Sequence, residues 1–163
     1  QEEEKESFSL MDIEKLRETL KVDEGVKLNS QGNHIIYLCS ASKPTCGIGH
    51  MITEDDPEHG LPIGTQIGEE RVNELFDQDV EVTLDECRLL FQNFDDLPEE
   101  VKQVCANLMF NMGRPRLSRF HKFRKALENS AWIEAGKELK NSRYYRQVTA
   151  RADRLIARLE AIT

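Results

Sequence analysis

Residues Glu69 to Phe91 carry the longest unbroken helical period in the chain, and they constrain it more than any other feature. Val72, Phe76, Val80, Leu84, Cys87 and Phe91 recur three or four residues apart and so line one stripe. At about 1.5 Å of rise per residue, such a helix is long enough to join two lobes. The rest of the 163 residues divides around it. The expected organisation is a single domain with an N-terminal lobe over about 9–68, a linking helix over about 69–91 and a helical C-terminal lobe over about 92–163.

The segment before the long helix changes period partway. Gln1 to Ser7 is charged and expected to fray, and Ser9 is placed to cap a helix running to about Val22. Ile13, Leu16 and Leu20 give that helix one apolar face. It stops at Asp23-Glu24-Gly25, with glycine as a common helix end. A carboxylate there opposes the helix macrodipole, at a cost of roughly 0.3–1 kcal/mol. Glu24 also precedes a run, Gly25 to Thr53, with no other Asp or Glu in a chain holding 30 of them. A solvated glutamate before a capping glycine would explain this, and so would a carboxylate kept for chemistry. Further on, His34–Cys39 and Pro44–Ile48 are strand candidates around a turn at Ser40–Lys43, a small hairpin sheet. Thr53–Gly64 is loop by its Gly, Pro and acidic content.

Beyond the long helix, Pro98 sits near the first turn of another. Val101, Val104, Cys105, Leu108, Met109 and Met112 make this helix apolar over a face wide enough to form a core, and Gly113 with Pro115 ends it. Shorter helices are expected at Ser118–Leu127, at Ser130–Lys140 behind a Ser130 cap, and at Val148–Ile162, with a turn through Asn141–Arg146. The fold class is α+β, mostly helical, with its small sheet in the N-terminal lobe.

Composition narrows the function classes. With 39% hydrophobic and 32% charged residues and no apolar run near the roughly 20 residues that span a bilayer, no membrane role is expected. The chain begins at Gln1 rather than Met, so a processed product is expected, with its leader not visible. Residues 114–163 hold 13 Lys and Arg against 5 Asp and Glu, whereas residues 1–113 hold 9 against 25. The basic third can face an anionic polymer or be solvated helix surface. Nucleic acid is not expected as a partner, since the net charge of −8 repels it at long range. Cys39, Cys46, Cys87 and Cys105 lack metal-ligand spacing, and no metal or cofactor is expected. Cys87 and Cys105 fall on apolar helix faces, where small buried thiols are the default.

The stretch Pro44-Thr45-Cys46-Gly47-Ile48-Gly49-His50 is the most informative. Alternating glycines in a strand mark a bulge or leave room for another group to approach closely. This stretch combines with Glu24-Gly25, Phe76-Asp77-Gln78-Asp79-Val80, the run Asn107 to Gly113 and Arg151-Ala152-Asp153-Arg154, all in order. On these motifs the chain resembles the phage-type lysozymes, the endolysin muramidases, over roughly residues 12–158.

The resemblance implies a two-lobe lysozyme-like fold, no cofactor, and a secreted or exported monomer that cleaves the glycan strands of peptidoglycan. Glu24 matches the family's general acid, which must be protonated when it acts; burial beside low-dielectric walls favours that form of a carboxyl. Thr45 matches the threonine bordering the attacking water. Arg151 matches an arginine that pairs with the glutamate. His50 and Asp79 match an interlobe salt bridge that stabilises, and Met51 and Phe110 match apolar residues that contact sugar. At two further cleft positions the family's polar residues are replaced here by Phe123 and Glu138, so no substrate contact is carried over to them. One departure is chemical: the family's aspartate, six residues before the threonine, is Cys39. A thiol has an ordinary pKa of about 8.5 but is the better nucleophile once ionised. Three outcomes are open: hydrolysis assisted by Cys39, hydrolysis under redox control, or a weak or inactive binder of the polymer.

Overall fold

The computed structural model describes residues 11–162, so the charged start and the Ser9 cap lie outside the described residues. The chain divides into two compact units, residues 17–82 and residues 11–16 with 83–162.

The first helix, α1 (Ile13–Glu24), is capped within the described residues by Asp12, whose Oδ1 accepts the Lys15 N–H at 3.0 Å. Leu16 and Leu20 of its apolar face are fully buried. Gly25, at φ 69°, ends it in the left-handed conformation that glycine adopts without strain.

In residues 17–82 the single expected hairpin sheet is two small antiparallel sheets. β1 (His34–Ile35) pairs with β5 (Gln66–Ile67), whereas β2 (Tyr37–Leu38), β3 (Pro44–Cys46) and β4 (His50–Met51) form a three-stranded sheet. The expected strand His34–Cys39 is interrupted at Ile36, which is fully buried and donates its N–H to the Thr65 carbonyl instead of to the hairpin. The strand expected to run to Ile48 stops at Cys46 because Gly47 and Gly49 take φ of 59° and 64°. Those two glycines reverse the chain and create β4, which periodicity did not reveal.

The long helix, α2 (Glu69–Leu90), forms as the stripe predicts, with Val72, Phe76, Val80, Cys87 and the following Phe91 buried. Within residues 17–82 the Arg17 guanidinium lies 4.4 Å over the Phe76 ring, a cation–π contact that covers the apolar face with a charged side chain.

The other unit is built on α3 (Glu99–Met112). Val101, Val104, Cys105 and Leu108 are fully buried there, and each such side chain contributes about 1–3 kcal/mol of transfer free energy. Gln103 Nε2 donates to the Asp12 carbonyl at 2.8 Å, which ties residues 11–16 to this core. Around α3 follow α4 (Arg114–Leu117), α5 (His121–Glu128), α6 (Trp132–Lys140), α7 (Arg143–Gln147) and α8 (Thr149–Glu160). Ser130 does not cap α6: it sits at φ 54° in the left-handed region, and the helix begins two residues later. The expected turn at Asn141–Arg146 is instead the helix α7, capped by Ser142, whose Oγ accepts the Tyr145 N–H at 3.2 Å. The fold is thus α+β and mostly helical, as the sequence implies. No described helix is long and apolar enough to cross a membrane.

Candidate active site

Six of the eight residues singled out above lie in residues 17–82. Strand register sets three of them. Thr45, on the central strand, stands opposite Tyr37 on one side and Met51 on the other, so these side chains share one face of the sheet. Cys39 follows Tyr37 by two residues and holds the ladder one step further through its N–H to the Lys43 carbonyl at 3.0 Å. Thr45 is buried, and its hydroxyl donates to the Lys43 carbonyl at 2.9 Å. Met51 is half exposed.

Glu24, the half-buried last residue of α1, reaches this hairpin through a gap that only glycine leaves. A Cβ on Gly49 would lie 2.8 Å from Glu24 Oε2 and 2.9 Å from its Cδ, closer than real contacts allow. The glycine spacing singled out in the sequence is therefore needed twice here, for the left-handed turn and for the approach of the carboxylate. Tyr37 belongs to the same cluster. Its hydroxyl is held above the ordinary tyrosine range by burial first, then by the charges of Glu24, Cys46 and Cys39.

The Cys39 thiol is partly exposed and held below its ordinary value. A backbone hydrogen bond from Lys43 is the largest cause, burial opposes it, and Ala41 and the Thr45 side chain add to the lowering. The other three thiols go the opposite way. Burial pushes Cys46 up to about 11, Cys87 to about 12 and Cys105 well above the ordinary value. All four cysteines carry free thiols. Thiolate character is what makes a cysteine reactive, so Cys39 differs in kind from the other three.

His50 and Asp79 form their expected pair, Nδ1 to Oδ2 at 2.7 Å, but the pair closes inside residues 17–82 rather than between units. Asp79 is on the part of α2 that belongs to this unit. A second carboxylate, Asp56, takes the other ring nitrogen at 2.8 Å. Asp56 also accepts the Thr53 N–H at 2.8 Å. Burial alone would lower the His50 pKa, yet the two carboxylates outweigh it and raise it to about 9. The imidazole is therefore a charged clamp between the Thr53–Asp56 loop and α2.

Phe110 and Arg151 lie in the other unit. Arg151 is buried and donates from Nε to Asn107 Oδ1 at 2.9 Å, with Nη2 at 3.4 Å from the Asn107 carbonyl. Phe110 is half-buried at the last full turn of α3. Among the described residues, no group of three His, Cys, Asp or Glu side chains is arranged to hold a metal ion.

Sequence reading missed Tyr37, Asp56 and Asn107 as members of these clusters. Tyr37 follows from alternation, two residues before Cys39. Asp56 lies in an acidic loop beside Glu54 and Asp55, where nothing in the sequence singles it out. Asn107 opens the motif Asn107 to Gly113 singled out in the sequence, but its bond to Arg151 was not legible there.

Known proteins resemble this chain over most of its length. The chain is similar, at 29% identity over 93% of its length and 96% of the relative's, to probable T4-type lysozyme 2 of Dictyostelium discoideum. Probable T4-type lysozyme 1 of the same organism is 27% identical over the same shares. The pre-baseplate central spike protein Gp5 of Enterobacteria phage T4 is 23% identical over 86% of this chain and 26% of its own length. The phage lysozyme family model matches residues 24–160, beginning at the glutamate that packs on Gly49, and the chain belongs to the phage lysozyme family.

Proposed function

We propose that the protein is a muramidase that hydrolyses the β-1,4 bond between N-acetylmuramic acid and N-acetylglucosamine in bacterial peptidoglycan, acting on the wall outside the cytoplasm. The observation that carries the reading is the packing of the Glu24 carboxylate on Gly49, with Cys39 and Thr45 on the same hairpin.

In this reading Glu24 is the general acid. It gives its proton to the glycosidic oxygen as the bond to the sugar's anomeric carbon breaks, and the N-acetylglucosamine hydroxyl leaves. Water attacks the anomeric carbon from the opposite face, bordered by Thr45. Its proton passes to the Cys39 thiolate, which the Lys43 and Ala41 backbone donors favour. Solvent then carries a proton from the thiol back to Glu24, and the enzyme is restored. One displacement gives an inverted anomer. Met51, half exposed on the hairpin, supplies apolar contact to a sugar ring. The His50 clamp has no part in the chemistry and holds β4 to α2.

The test combines one substitution with product analysis. Glu24→Gln keeps shape but has no proton to give, so wall clearing should stop while far-UV circular dichroism and thermal unfolding stay those of the parent. Proton NMR of the first product should show the inverted anomer. Clearing at the parent rate by pure Glu24→Gln refutes the assignment of the acid. A retained anomer with a glycosyl adduct on Cys39 refutes the water-activating role of the thiol.

A further inference from the structure

The three-stranded sheet carries one polar group that the chemistry above leaves unused, the Tyr37 hydroxyl. Tyr37 stands directly opposite Thr45 in the ladder, as Met51 does on the other side, so a row of three side chains crosses the sheet on a single face. Cys39 follows on that face two residues along β2. The row is unevenly covered: Thr45 is buried, Tyr37 half-buried and Met51 half exposed. Thr45 gives its hydroxyl proton to the Lys43 carbonyl at 2.9 Å. The Tyr37 hydroxyl, by contrast, has no hydrogen-bond partner among the described residues.

A tyrosine with an apolar body in the protein and an unpaired polar tip at its edge is suited to reading a ligand. Its protonation is secure. Burial first, then the charges of Glu24, Cys46 and Cys39, hold the hydroxyl above the ordinary tyrosine range, so at neutral pH it is a neutral donor. Those charges also put the phenol within electrostatic reach of both Glu24 and Cys39, which the function proposed above assigns to opposite faces of the sugar. The attacked anomeric carbon lies between those faces, and the ring carbon next to it bears an acetamido group. The amide carbonyl of that group is a stronger neutral acceptor than any hydroxyl or ether oxygen on the ring.

We propose that Tyr37 is a specificity-determining residue, its hydroxyl donating a hydrogen bond to the acetamido carbonyl of the sugar bound beside Glu24 and Thr45. The inference rests on the glycan reading above and deepens it: the site selects 2-acetamido sugars over sugars with a hydroxyl at that carbon. The role needs the hydroxyl and not the ring, which separates it from packing.

The experiment is equilibrium binding of two neutral tetramers to the full chain. Chitotetraose is built of β-1,4-linked N-acetylglucosamine, and cellotetraose has hydroxyls in place of its acetamido groups. Neither contains the bond assigned above, so both persist through a titration. The parent should prefer chitotetraose. Tyr37→Phe should cut that preference by about threefold to tenfold, the loss expected for one neutral hydrogen bond, through weaker chitotetraose binding alone. A ratio of affinities measured on one protein cancels any loss of folded material. Leu38→Ala, on the opposite face of the same strand, should keep the parent ratio. The Tyr37 ring signals in NMR, identified by their absence from Tyr37→Phe, should move when chitotetraose binds. The proposal is overturned if the parent binds both tetramers alike or neither, if Tyr37→Phe keeps the parent ratio, if Leu38→Ala lowers it as much, or if the ring signals stay still. Wall clearing is read separately. A parent that clears walls while Tyr37→Phe keeps the ratio refutes this inference and not the function. A ratio that depends on Tyr37 in a protein that clears no wall refutes the hydrolase reading and not this one.

Discussion

The His50 clamp should make the protein lose stability between neutral and mildly alkaline pH, the opposite of the usual carboxylate effect. In the folded state the ring is pinned at both nitrogens, by Asp79 at 2.7 Å and Asp56 at 2.8 Å, and only 12% of the side chain is exposed. Its pKa rises from 6.5 to about 9. Folding therefore tightens proton binding. Below pH 6.5 both folded and unfolded states hold the proton, and the full contribution is present. Between 6.5 and about 9 only the folded state holds it, so stability falls as pH rises, and above about 9 the contribution is gone. At about 1.4 kcal/mol per pKa unit, the shift corresponds to roughly 3 kcal/mol. For a protein of this size that is roughly 6–12 °C in melting temperature.

Urea unfolding at half-unit steps from pH 6 to 10 measures the effect. His50→Gln supplies the baseline, because it cannot take up the proton and should be nearly flat over that window. Asp56→Asn should leave a smaller slope, since Asp79 still faces one ring nitrogen. Proton NMR of the His50 ring should show a midpoint near 9 in the parent. A parent curve parallel to that of His50→Gln, or a ring midpoint near 6.5, would refute the clamp.

Three other outcomes follow from the same coordinates. Gly49→Ala should lose wall hydrolysis together with about 1–2 kcal/mol of stability, because a left-handed residue gains a Cβ just where Glu24 sits; parent-like activity in a clearing assay would show that this contact is dispensable. A limiting thiol reagent followed by peptide mapping should label Cys39 ahead of Cys46, Cys87 and Cys105, and first labelling of any of those three would mean that the hairpin is misassigned. Glu100 is held at about 2, chiefly by its hydrogen bonds to Arg158 and then by Lys15; acid should cost stability as pH falls from about 4.5 toward 2, and Arg158→Gln should narrow that window, seen as a smaller acid slope in thermal unfolding.

How much of this was legible in the sequence depended on whether the signal was local. The stripe from Val72 to Phe91 and the apolar face of α3 are periodic, and burial follows period directly. The sheet was harder, because strands of two and three residues carry too few positions to show alternation. The turn from β3 to β4 depends on Gly47 and Gly49, whose positive φ no periodicity reveals. Ser130 failed as a cap for a related reason, since its backbone is committed to a left-handed turn before its hydroxyl can accept. The site divided the same way. Glu24 stood out as a carboxylate at a helix end, but its contact with Gly49 joins residues far apart in sequence. Asp56 was hidden in an acidic loop, where nothing distinguishes one aspartate from Glu54 or Asp55 until the His50 ring is placed beside it.

Cys39 stands where the resemblance implies a carboxylate, and the hairpin gives that position a local bias toward an anion. The groups that lower the thiol's pKa are led by the Lys43 backbone, with Ala41 adding, and backbone donors do not change when the side chain does. They arise from the turn between β2 and β3, where the Cys39 N–H bonds the Lys43 carbonyl and the Ser42 N–H bonds the Cys39 carbonyl. The turn therefore favours negative charge on whatever atom occupies the end of that side chain. The thiol receives this bias. A thiol in place of the implied aspartate thus lacks an oxygen acceptor but has a local preference for the anion. That is why the thiol's reactivity, rather than the missing carboxylate alone, decides what this site can do.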